Sequence, residues 1–420
     1  MKTISTQHNT DAIERKHPWP MVRLGDVCGT INGIWKGLRK PFVHVGIIRS
    51  SNMTKNCEFS LDKTIYIDVE EKKYKQRKLL AGDIIVERSG GGPGQPVGRA
   101  VYFDLEDGEY SVSNFTSILR VKDANALNGK FLQLYLTSQY FQGATENIQS
   151  NTTGLHNLDF DAYLNFDVPL PPLSEQKEIV ARLERELAAV EKMKKGFEAL
   201  AETAQAEFKA ELKEVFESGE LRVESGELAV RRVKLGEICE TITDGDHQPP
   251  PKSSQGVPFL VISNVASGRI SFENTRFVPK AYYEAIQENR KPRKGDVLLT
   301  VTGSYGIPVV VETDDMFCFQ RHIALIRASR LDSKFLVYVL QSPESKRYFD
   351  LVATGAAQKT IGLGSIRAMS IPFPSMSAQR QIVARLSAAK ARAEKLEAKA
   401  QEGVAVCETM RKAILKEAFA

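Results

Sequence analysis

Two clusters of side chains in the sequence contain residue types that could carry out chemistry. The first is the segment Ser89-Gly-Gly-Gly-Pro-Gly-Gln-Pro-Val-Gly98, which has the glycine content of a phosphate-binding loop. It lacks a Gly-Lys-Ser/Thr sequence, and prolines and a predicted strand follow where such a loop needs a helix N-terminus. We therefore interpret it as a loop between strands, which is either flexible or laid against a nucleic-acid backbone that glycine lets approach.

The second cluster contains Asp161, Glu175 and Lys177, the residue types of a metal-dependent nuclease. Glu175 and Lys177 lie at a predicted helix start, and nothing in the sequence holds them near Asp161, so we expect a solvated helix face. The six histidines include no pair at i and i+4, and no metal site is expected. The Asn-Pro-Pro-aromatic motif of adenine methyltransferases is also absent. The sequence therefore predicts a chain that is not an enzyme.

Length and composition indicate a globular protein of several domains. The chain has 420 residues, 42% apolar and 26% charged, with a net charge of +5 and a pI near 8.7. This mildly basic balance permits a polyanionic partner. The five cysteines include no Cys-x-x-Cys, so neither disulfides nor a cysteine-based zinc site is expected. The first twenty residues lack the apolar core of a signal peptide, no apolar run could span a membrane, and a cytoplasmic location is expected.

The chain repeats itself. PLPPLSEQKEIVARL (169–183) returns as PFPSMSAQRQIVARL (372–386), with nine of fifteen positions identical. Three further pairs of segments match in the same order, which indicates two copies of one unit, each a body of about 150 residues followed by a tail of about 45. These pairs are 22–28 with 233–239, 81–86 with 294–299, and 129–135 with 333–339.

Each body has the pattern of a mixed α/β domain. The segments 82–86 and 295–299 are typical of a turn followed by a strand, and 97–103 and 307–311 of returning strands. Residues 131–141 and 334–349 have helical spacing. Gly, Pro, Asn and Ser between these elements predict many surface loops.

Each tail has the apolar spacing of one long helix. Apolar residues recur in steps of three and four after Ser174 and Ser377, and Ser174 is a suitable N-cap behind the stop formed by Pro171 and Pro172. Forty residues make a rod of roughly 60 Å. The first stripe is bulky and the second rich in alanine, so the two can approach closely. Predicted packing residues are Ile179, Leu183, Leu187, Val190, Phe197, Leu200, Phe208 and Leu212 in the first helix, and Ile382, Leu386, Leu396, Met410 and Ile414 in the second.

Connectivity predicts how these parts are arranged. The second helix must run antiparallel to the first to bury its stripe, which would place two α/β bodies at opposite ends of a coiled-coil-like spacer with an internal pseudo-twofold. Two duplicated domains joined by ordinary helical linkers are the alternative. The expected segments are a polar tail (1–18), the first body (19–172), the first helix (173–218), a linker (219–230), the second body (231–374) and the second helix (375–420).

Two different bodies on a rod of fixed length suit a linear polymer with a regular repeat. Dimeric DNA-binding proteins place two half-sites about one helical turn apart. Here both bodies belong to one chain and their loops differ in sequence, so the target would be bipartite and non-palindromic, with a fixed gap.

From about Trp19 to Ala420 the chain resembles the specificity subunit of type I restriction-modification systems. The resemblance rests on the order of body and helix, on the repeated P-x-P-x-x-S-x-Q-x-x-I-V-A-R-L, on Asp244-Gly-Asp-His247 followed by Pro249, and on the turns at Gly82 and Gly295. It implies that the bodies are target recognition domains in host defence. It also implies that the helices set the gap and bind two methyltransferase (modification) subunits, which restriction subunits, the ATP-dependent translocase and nuclease, then join. No cofactor is expected in this chain; S-adenosylmethionine, ATP and Mg²⁺ belong to those partners.

The residues expected to contact double-stranded DNA are polar side chains on loops and at strand ends. For each one a loop-stabilising role is equally consistent with the sequence, and Asp246 could simply cap a turn. Trp35 could stack on DNA, although a partly buried aromatic is the simpler expectation. The candidates are His44, Arg49, Ser50, Arg88, Ser89, Gln95, Asn114, Thr153, His156 and Asn157 in the first body, and Asp246, His247, Gln248, Thr302, Ser304, Tyr305, Gln320, Arg321, His322, Gln358, Lys359 and Thr360 in the second.

Two other classes of function remain open from the sequence. A self-contained nuclease or methyltransferase would show activity with S-adenosylmethionine and Mg²⁺. A protein–protein scaffold would use the same two-bodied rod without binding DNA, and a salt-dependent gel shift would distinguish it from a DNA-binding protein.

Overall fold

The computed structural model describes residues 19–420 apart from 92–93, 153, 218–219, 224–225, 230 and 248–249. The chain divides into two compact units. Unit 1 consists of Met1–Gly196 and Glu402–Ala420, and unit 2 of Phe197–Gln401. Each unit therefore contains one body together with segments of both long helices. The predicted polar tail, residues 1–18, lies outside the described residues.

The first body is built on a four-stranded antiparallel sheet of order β2-β9-β5-β7, beside three-stranded sheets β4-β3-β8 and β10-β11-β6 and the pair β1-β12. Helix α5 follows it. The strands are β1 (Met21–Arg23), β2 (Cys28–Asn32), β3 (Phe42–Ile48), β4 (Ile65–Glu70), β5 (Ile84–Glu87), β6 (Ser89–Gly90), β7 (Ala100–Tyr102), β8 (Tyr110–Val112), β9 (Thr116–Val121), β10 (Gln149–Thr152), β11 (Leu155–Leu158) and β12 (Asp167–Pro169), and the helices α1 (Leu24–Val27), α2 (Glu71–Arg77), α3 (Gly129–Phe141), α4 (Phe160–Leu164) and α5 (Leu173–Glu217).

The second body repeats three of these four sheets, with a sheet of order β16-β22-β19-β20, the three-stranded sheet β18-β17-β21 and the pair β15-β23. The predicted linker contains the antiparallel pair β13-β14. The strands are β13 (Glu220–Val223), β14 (Gly226–Ala229), β15 (Arg232–Lys234), β16 (Cys239–Asp244), β17 (Val257–Leu260), β18 (Arg276–Val278), β19 (Val297–Thr300), β20 (Pro308–Val310), β21 (Cys318–Phe319), β22 (Ile323–Ala328) and β23 (Ser370–Pro372), and the helices α6 (Leu235–Ile238), α7 (Lys280–Ala285), α8 (Ser333–Gln341), α9 (Pro343–Val352), α10 (Leu363–Ala368) and α11 (Met376–Ala418).

The repeated Gly-Asp turn closes each main sheet with an ion pair between a buried aspartate and an arginine. Gly82 has φ +97°, which favours glycine, and the buried strand β5 starts two residues later at Ile84. The Asp83 carboxylate accepts a hydrogen bond from Leu80 N at 2.7 Å and two from the Arg120 guanidinium, each at 2.7 Å. Arg120 also donates to Lys78 O at 2.9 Å. Asp83 therefore fixes both the turn and the neighbouring strand β9.

The second body uses the same device. Gly295 has φ +94°, Asp296 accepts from Arg293 N at 2.8 Å, and Arg327 donates to both carboxylate oxygens of Asp296 at 2.9 and 2.7 Å. Arg327 reaches Lys291 O at 2.9 Å, as Arg120 reaches Lys78 O. The prediction of two mixed α/β bodies related by an internal repeat is confirmed.

The continuous helix predicted over 334–349 is wrong. The structure has α8 and α9, which are separated at Ser342. Pro343 cannot supply the N–H that a continuing helix needs, and it occupies the first turn of α9 instead. The Ser342 hydroxyl caps the new helix by accepting from Ser345 N at 3.2 Å.

A buried glutamine joins the start of each long helix to its body. Gln176 is 0% exposed; its amide donates to Ala126 O at 2.9 Å and to Pro171 O at 2.8 Å, and its Oε1 accepts from Asn128 N at 2.8 Å. The helix begins at Leu173, so Ser174 lies in its first turn and is not the N-cap that the sequence suggested.

Each body is completed by the start of one long helix and the end of the other. In unit 1, Leu183 of α5 and Leu415 of α11 belong to one apolar cluster with the first body, and the Ser138 hydroxyl donates to Leu415 O at 3.0 Å. In unit 2, Leu212 of α5 and Leu386 of α11 share a cluster with the second body. The start of one helix thus lies with the end of the other in each unit, which is the arrangement of antiparallel helices.

Burial of the helix stripe agrees with the predicted spacing at most positions. Leu200 and Met410, however, are 37% and 39% exposed. The neighbouring positions of the same stripe, Ala204 and Cys407, are buried. The remaining predicted packing residues are buried or half-buried: Ile179, Leu183, Leu187, Val190, Phe197, Phe208, Leu212, Ile382, Leu386, Leu396 and Ile414.

Within the described part of the chain, no helix is both long enough and apolar enough to cross a membrane.

Candidate nucleic-acid interface

A buried ion pair lies directly beneath the candidate residues of the first body. Glu87 ends strand β5, its side chain is 0% exposed, and its two oxygens accept from Arg99 Nη2 at 2.7 Å and Nε at 2.8 Å. Arg99 Nη1 donates to Met53 O at 2.7 Å. Burial opposes the charge of Arg99, but its hydrogen bonds and ion pair with Glu87 outweigh that effect and raise its pKa. Arg99 thus stays ionised and ties the loop after Arg49 to strand β5.

Above this pair, candidates from three separate segments converge. The Ser50 hydroxyl donates to Ser89 O at 3.3 Å, and the Ser89 hydroxyl donates to Asn157 Oδ1. Strands β6 and β11 pair there, with His156 opposite Gly90 and Asn157 opposite Ser89. His156 Nδ1 is buried without a hydrogen-bond partner within the described structure. The predicted residues at 50, 89 and 156–157 therefore form one surface.

Arg88 and Asn114 adjoin this surface. Arg88 Nη1 donates to Asn32 Oδ1 at 3.2 Å, and its guanidinium lies 4.4 Å from the centroid of the Phe160 ring. The backbone N–H of Arg88 donates to Phe115 O at 2.8 Å, immediately after the exposed Asn114. The contact with the Phe160 ring fixes the orientation of the Arg88 side chain, which would otherwise vary.

The other candidates of the first body lie apart from this surface or have structural partners. His44 is exposed on strand β3, 3.0 Å from Asp68 Oδ1, and it stacks on Tyr66. Arg49 Nη2 donates to Lys63 O at 2.7 Å, which is a loop-stabilising contact. Gln95 is half-buried in the glycine-rich loop. Thr153 lies outside the described residues.

The second body gathers its candidates around the equivalent strand end. Gly303 N donates to Lys359 O at 3.0 Å, and the Thr360 hydroxyl donates to that of Thr302 at 3.2 Å. Thr302 is only 5% exposed, whereas Ser304, Gln358 and Lys359 are exposed. The Tyr305 hydroxyl donates to Asp350 at 2.9 Å, and this hydrogen bond raises the pKa of Tyr305.

A second group surrounds Asp246. Its carboxylate accepts a hydrogen bond from the Tyr282 hydroxyl at 2.6 Å, and its backbone carbonyl accepts from Arg321 N at 3.3 Å. Asp246 also forms a parallel bridge with Gln320, and His247 Nε2 lies 2.9 Å from Asp244 Oδ2. Burial and the Arg321 guanidinium lower the pKa of the adjacent His322. Gln248 lies outside the described residues.

The two bodies present different side chains on the same backbone frame. Arg88 N donates to Phe115 O at 2.8 Å in the first body, and Val301 N donates to His322 O at 2.9 Å in the second. The ion-pair arginines Arg120 and Arg327 lie five residues after these acceptors in both bodies. By this register Arg88 corresponds to Val301, Ser89 to Thr302, Asn114 to Arg321 and Phe115 to His322.

Two exposed aromatic residues lie near the start and end of the segments that form the first-body surface, and Phe115 was not considered from the sequence. Phe115 is 49% exposed next to Asn114, and its position opposite His322 in the internal repeat could have revealed it. Trp35, expected to be partly buried, is 58% exposed. Aromatic side chains held at a polar surface are suited to stacking on bases or sugars.

The nuclease-like residues do not form a site. Glu175 Oε1 accepts a hydrogen bond from Trp19 Nε1 at 3.2 Å, so this carboxylate fastens the helix start to the beginning of the body. Across the described ranges, no three His, Cys, Asp or Glu residues are placed to share a metal ion.

Comparison with known sequences places this chain in a family. Residues 16–197 and 229–404 match the type I restriction modification DNA specificity domain. The EcoBI specificity subunit of Escherichia coli is 25% identical over 60% of this chain and 57% of that subunit. The MjaVIII specificity subunit of Methanocaldococcus jannaschii is 25% identical over 57% and 58%. The chain thus spans less than two thirds of these two relatives. It covers 82% of the EcoKI specificity subunit of Escherichia coli K12, at 23% identity over 90% of this chain.

Two solved structures share the fold. A chain from a study of complex assembly and conformational transition of the type I R-M system has a TM-score of 0.73 at 21% identity, covering 96% of this chain and 97% of that one. The HsdS subunit of Thermoanaerobacter tengcongensis has a TM-score of 0.54 at 21% identity, with the same coverage. Because the domain model matches both bodies and well over half of the residues, the chain belongs to the type I restriction modification DNA specificity domain family.

Proposed function

We propose that the chain is the DNA-specificity subunit of a type I restriction-modification complex, in which each body recognises one half of a bipartite, asymmetric DNA site. The proposal rests on one observation: the two bodies have the same backbone frame but carry different side chains on it. Asn114 and Phe115 in the first body stand where Arg321 and His322 stand in the second. Two equal frames with unequal polar groups favour two different base sequences, because donors and acceptors in the major groove distinguish base pairs.

The helices set the gap between the half-sites in this proposal. Gln176 and Gln379 fasten each helix start to its body, and the apolar clusters at the other helix ends do the same. Such connections transmit helix length to the spacing of the recognition surfaces. The helices also dock two methyltransferase subunits, which restriction subunits then join. S-adenosylmethionine, ATP and Mg²⁺ act in those partners, and this chain contributes recognition without catalysis.

The methylome of the host tests this function. Single-molecule sequencing of DNA from cells with and without the gene should show loss of one bipartite methylated motif. A methylome that is unchanged by deletion would contradict the proposal. The purified chain should also shift DNA in a salt-dependent manner when it is assembled with its modification subunits, which a protein-only scaffold would not do.

Exchange of one body tests independent recognition. When residues 19–168 are replaced by the first body of a relative, one half of the methylated motif should change, while the other half and the gap persist. A change in both halves would show that the bodies do not act separately.

A further inference from the structure

The connection between strands β2 and β3 carries a group of exposed side chains that the proposed half-site recognition does not use. This basic loop, residues 33–41, has the sequence GIWKGLRKP, with three cationic residues and no acidic one. Leu38 is 88% exposed and Trp35 is 58% exposed. Lys36, Arg39 and Lys40 are also exposed, and none of the three forms an ion pair within the described residues.

The basic loop is held in place by specific contacts. Gly33 is packed so closely that a Cβ there would lie 1.9 Å from Ser113 O. Gly37 N donates to Asp68 O at 2.8 Å, and Leu38 N donates to Glu70 Oε1 at 3.2 Å. Large apolar side chains that are exposed in a fixed position are unfavourable in water. Trp35 and Leu38 are both exposed on this fixed loop, which indicates a contact surface.

Helix α2 supports the basic loop and adds to its charge. Arg77 donates to Gly33 O, and its guanidinium lies 5.6 Å from the Trp35 ring centroid. Of the nearby acids, Glu70 pairs with Lys73 and Glu71 with Lys75, while Asp68 Oδ1 lies 3.0 Å from His44 Nδ1. Of the cations on this short helix, Lys73 and Lys75 pair with these two glutamates, which leaves Lys72 and Arg77. The surface around Trp35 and Leu38 is therefore positive.

The basic loop begins at the candidate nucleic-acid interface. Asn32, the last residue of strand β2, accepts the hydrogen bond from Arg88, and the next residue, Gly33, packs against the backbone of Ser113 and Asn114. A duplex lying across Arg88 and Asn114 would therefore pass close to Trp35 and Leu38. This continuity with the interface, together with the positive charge, favours DNA as the occupant.

We infer that the basic loop is a second, sequence-independent DNA contact beside the first half-site. In this arrangement Lys36 and Arg39 contact phosphates, while Trp35 and Leu38 lie against sugars and base faces in the minor groove. Apolar side chains flanked by cations are the means by which proteins hold and partly unstack that groove without recognising a sequence. The inference rests on the proposed DNA-specificity function and extends it to DNA outside the recognised bases.

The contact is predicted on one side of the target only. Gly245 occupies the position of Gly33, and a Cβ there would lie 2.0 Å from Phe319 O. The sequence that follows, DHQPPPKSSQG, contains one cation, Lys252, and no large apolar residue other than proline. The flank of the second half-site therefore lacks an equivalent apolar pair, and it serves as an internal reference.

The test uses the full chain assembled with its modification subunits, and DNA carrying 2-aminopurine at positions flanking either half-site. Binding should raise 2-aminopurine fluorescence beside the first half-site and leave it unchanged beside the second. Because an aromatic side chain that contacts bases adds to the affinity, the W35A/L38A variant should bind about tenfold more weakly and lose the signal, with its methylated motif unchanged. The matched control is Leu351→Ala, which truncates an exposed leucine of the second body.

The charges are tested by salt dependence. Each phosphate contact contributes about −0.9 to the slope of log K against log salt concentration. The K36A/R39A variant should therefore reduce the magnitude of that slope by about two. Unchanged affinity, slope and fluorescence in both variants would overturn the inference while leaving the proposed function intact. Loss of subunit assembly in the absence of DNA by Leu38→Ala would also overturn it, because the loop would then be a protein-docking surface. Failure of the wild-type complex to bind a specific motif would overturn both proposals.

Discussion

Gln176 and Gln379 occupy the same position in the two repeated helix starts and make the same two contacts. Each side-chain amide donates to a proline carbonyl five residues earlier, Pro171 O at 2.8 Å and Pro374 O at 3.0 Å. Each Oε1 accepts the backbone N–H of the residue that caps a helix of the body, Asn128 before α3 or Asp332 before α8. The repetition of this segment is therefore explained by a structural requirement, since a buried amide fastens the long helix to the body.

Gln176→Ala should destabilise the protein more than Gln379→Ala. The Gln176 amide makes a further bond to Ala126 O at 2.9 Å, so its removal leaves more buried polar groups without partners. Each unsatisfied buried group costs about 1–3 kcal/mol, and we expect a loss of about 3 kcal/mol in the free energy of unfolding for Gln176→Ala. Denaturant unfolding measures it. Gln205→Ala, on an exposed face of the same helix, is the control and should change little.

The ion pair of Glu87 and Arg99 should affect recognition of the first half-site alone. Arg99→Met leaves a buried carboxylate without its partner, which costs about 3–5 kcal/mol of stability. The E87M/R99M variant removes both charges and should regain much of that stability. It should still bind the first half-site poorly, because the bond from Arg99 to Met53 O no longer holds the loop.

Affinities for oligonucleotides altered in one half-site separate these effects. The exposed pair of Arg232 and Glu344, 41% and 42% exposed, supplies the control, since Arg232→Met should cost less than about 1 kcal/mol. Full recovery of first half-site affinity in the double variant would show that the pair acts on stability only.

The regular parts of this fold could be predicted because their signals are local. A repeated Gly-Asp turn before an apolar run, and apolar steps of three and four, depend only on neighbouring residues. The burial of Gln176 could not be predicted from the sequence, because a polar residue in the first turn of a helix is usually exposed. Here the side chain is buried against a loop distant in sequence, where its amide donates to Ala126 O. The exposure of Trp35 similarly depends on contacts of Gly33 and Arg77 with other segments. Site residues are the least predictable, because they lie on loops whose neighbours are set by the tertiary fold.

The protonation of His322 should shift when Arg321 is neutralised. Burial, and then the Arg321 guanidinium, lower the pKa of His322 below its ordinary value of 6.5. The unfolded chain therefore takes up this proton at a higher pH than the folded protein does. The contribution of His322 to stability is complete above about pH 6.5 and is lost as the pH falls towards the folded pKa.

Arg321→Gln should raise the pKa of His322 towards 6.5, so the loss of stability below pH 6.5 should become smaller and end at a higher pH. Histidine-detected NMR titration measures the pKa directly, and His44→Gln in the other unit helps to assign the signals. A pKa of His322 above 6.5 in the wild type would contradict the arrangement of these two side chains.

A fragment of residues 1–219 should dimerise, because the end of α5 from a second copy can replace the end of α11 that the fragment lacks. In the full chain Phe419, the residue after α11, packs against Phe131 of the first body, with ring centroids 5.5 Å apart. The fragment lacks that helix end. It retains Phe216 at the equivalent position of α5, which packs against Phe335 of the second body at 6.0 Å. The α5 end of a second fragment can therefore cover Phe131, and a closed twofold dimer is the simplest result.

The dimer would hold two copies of the first body. With the modification subunits present, it should methylate the first half-site twice, as an inverted repeat with nearly the natural gap, because helix length is unchanged. Sedimentation and methylome sequencing measure the two steps. Phe216→Ala in the fragment should weaken dimerisation, whereas Met193→Ala, at a residue 42% exposed on the same helix, should have little effect. A monomeric fragment, or a dimer that ignores the inverted repeat, would mean that the two helices do not play equivalent parts.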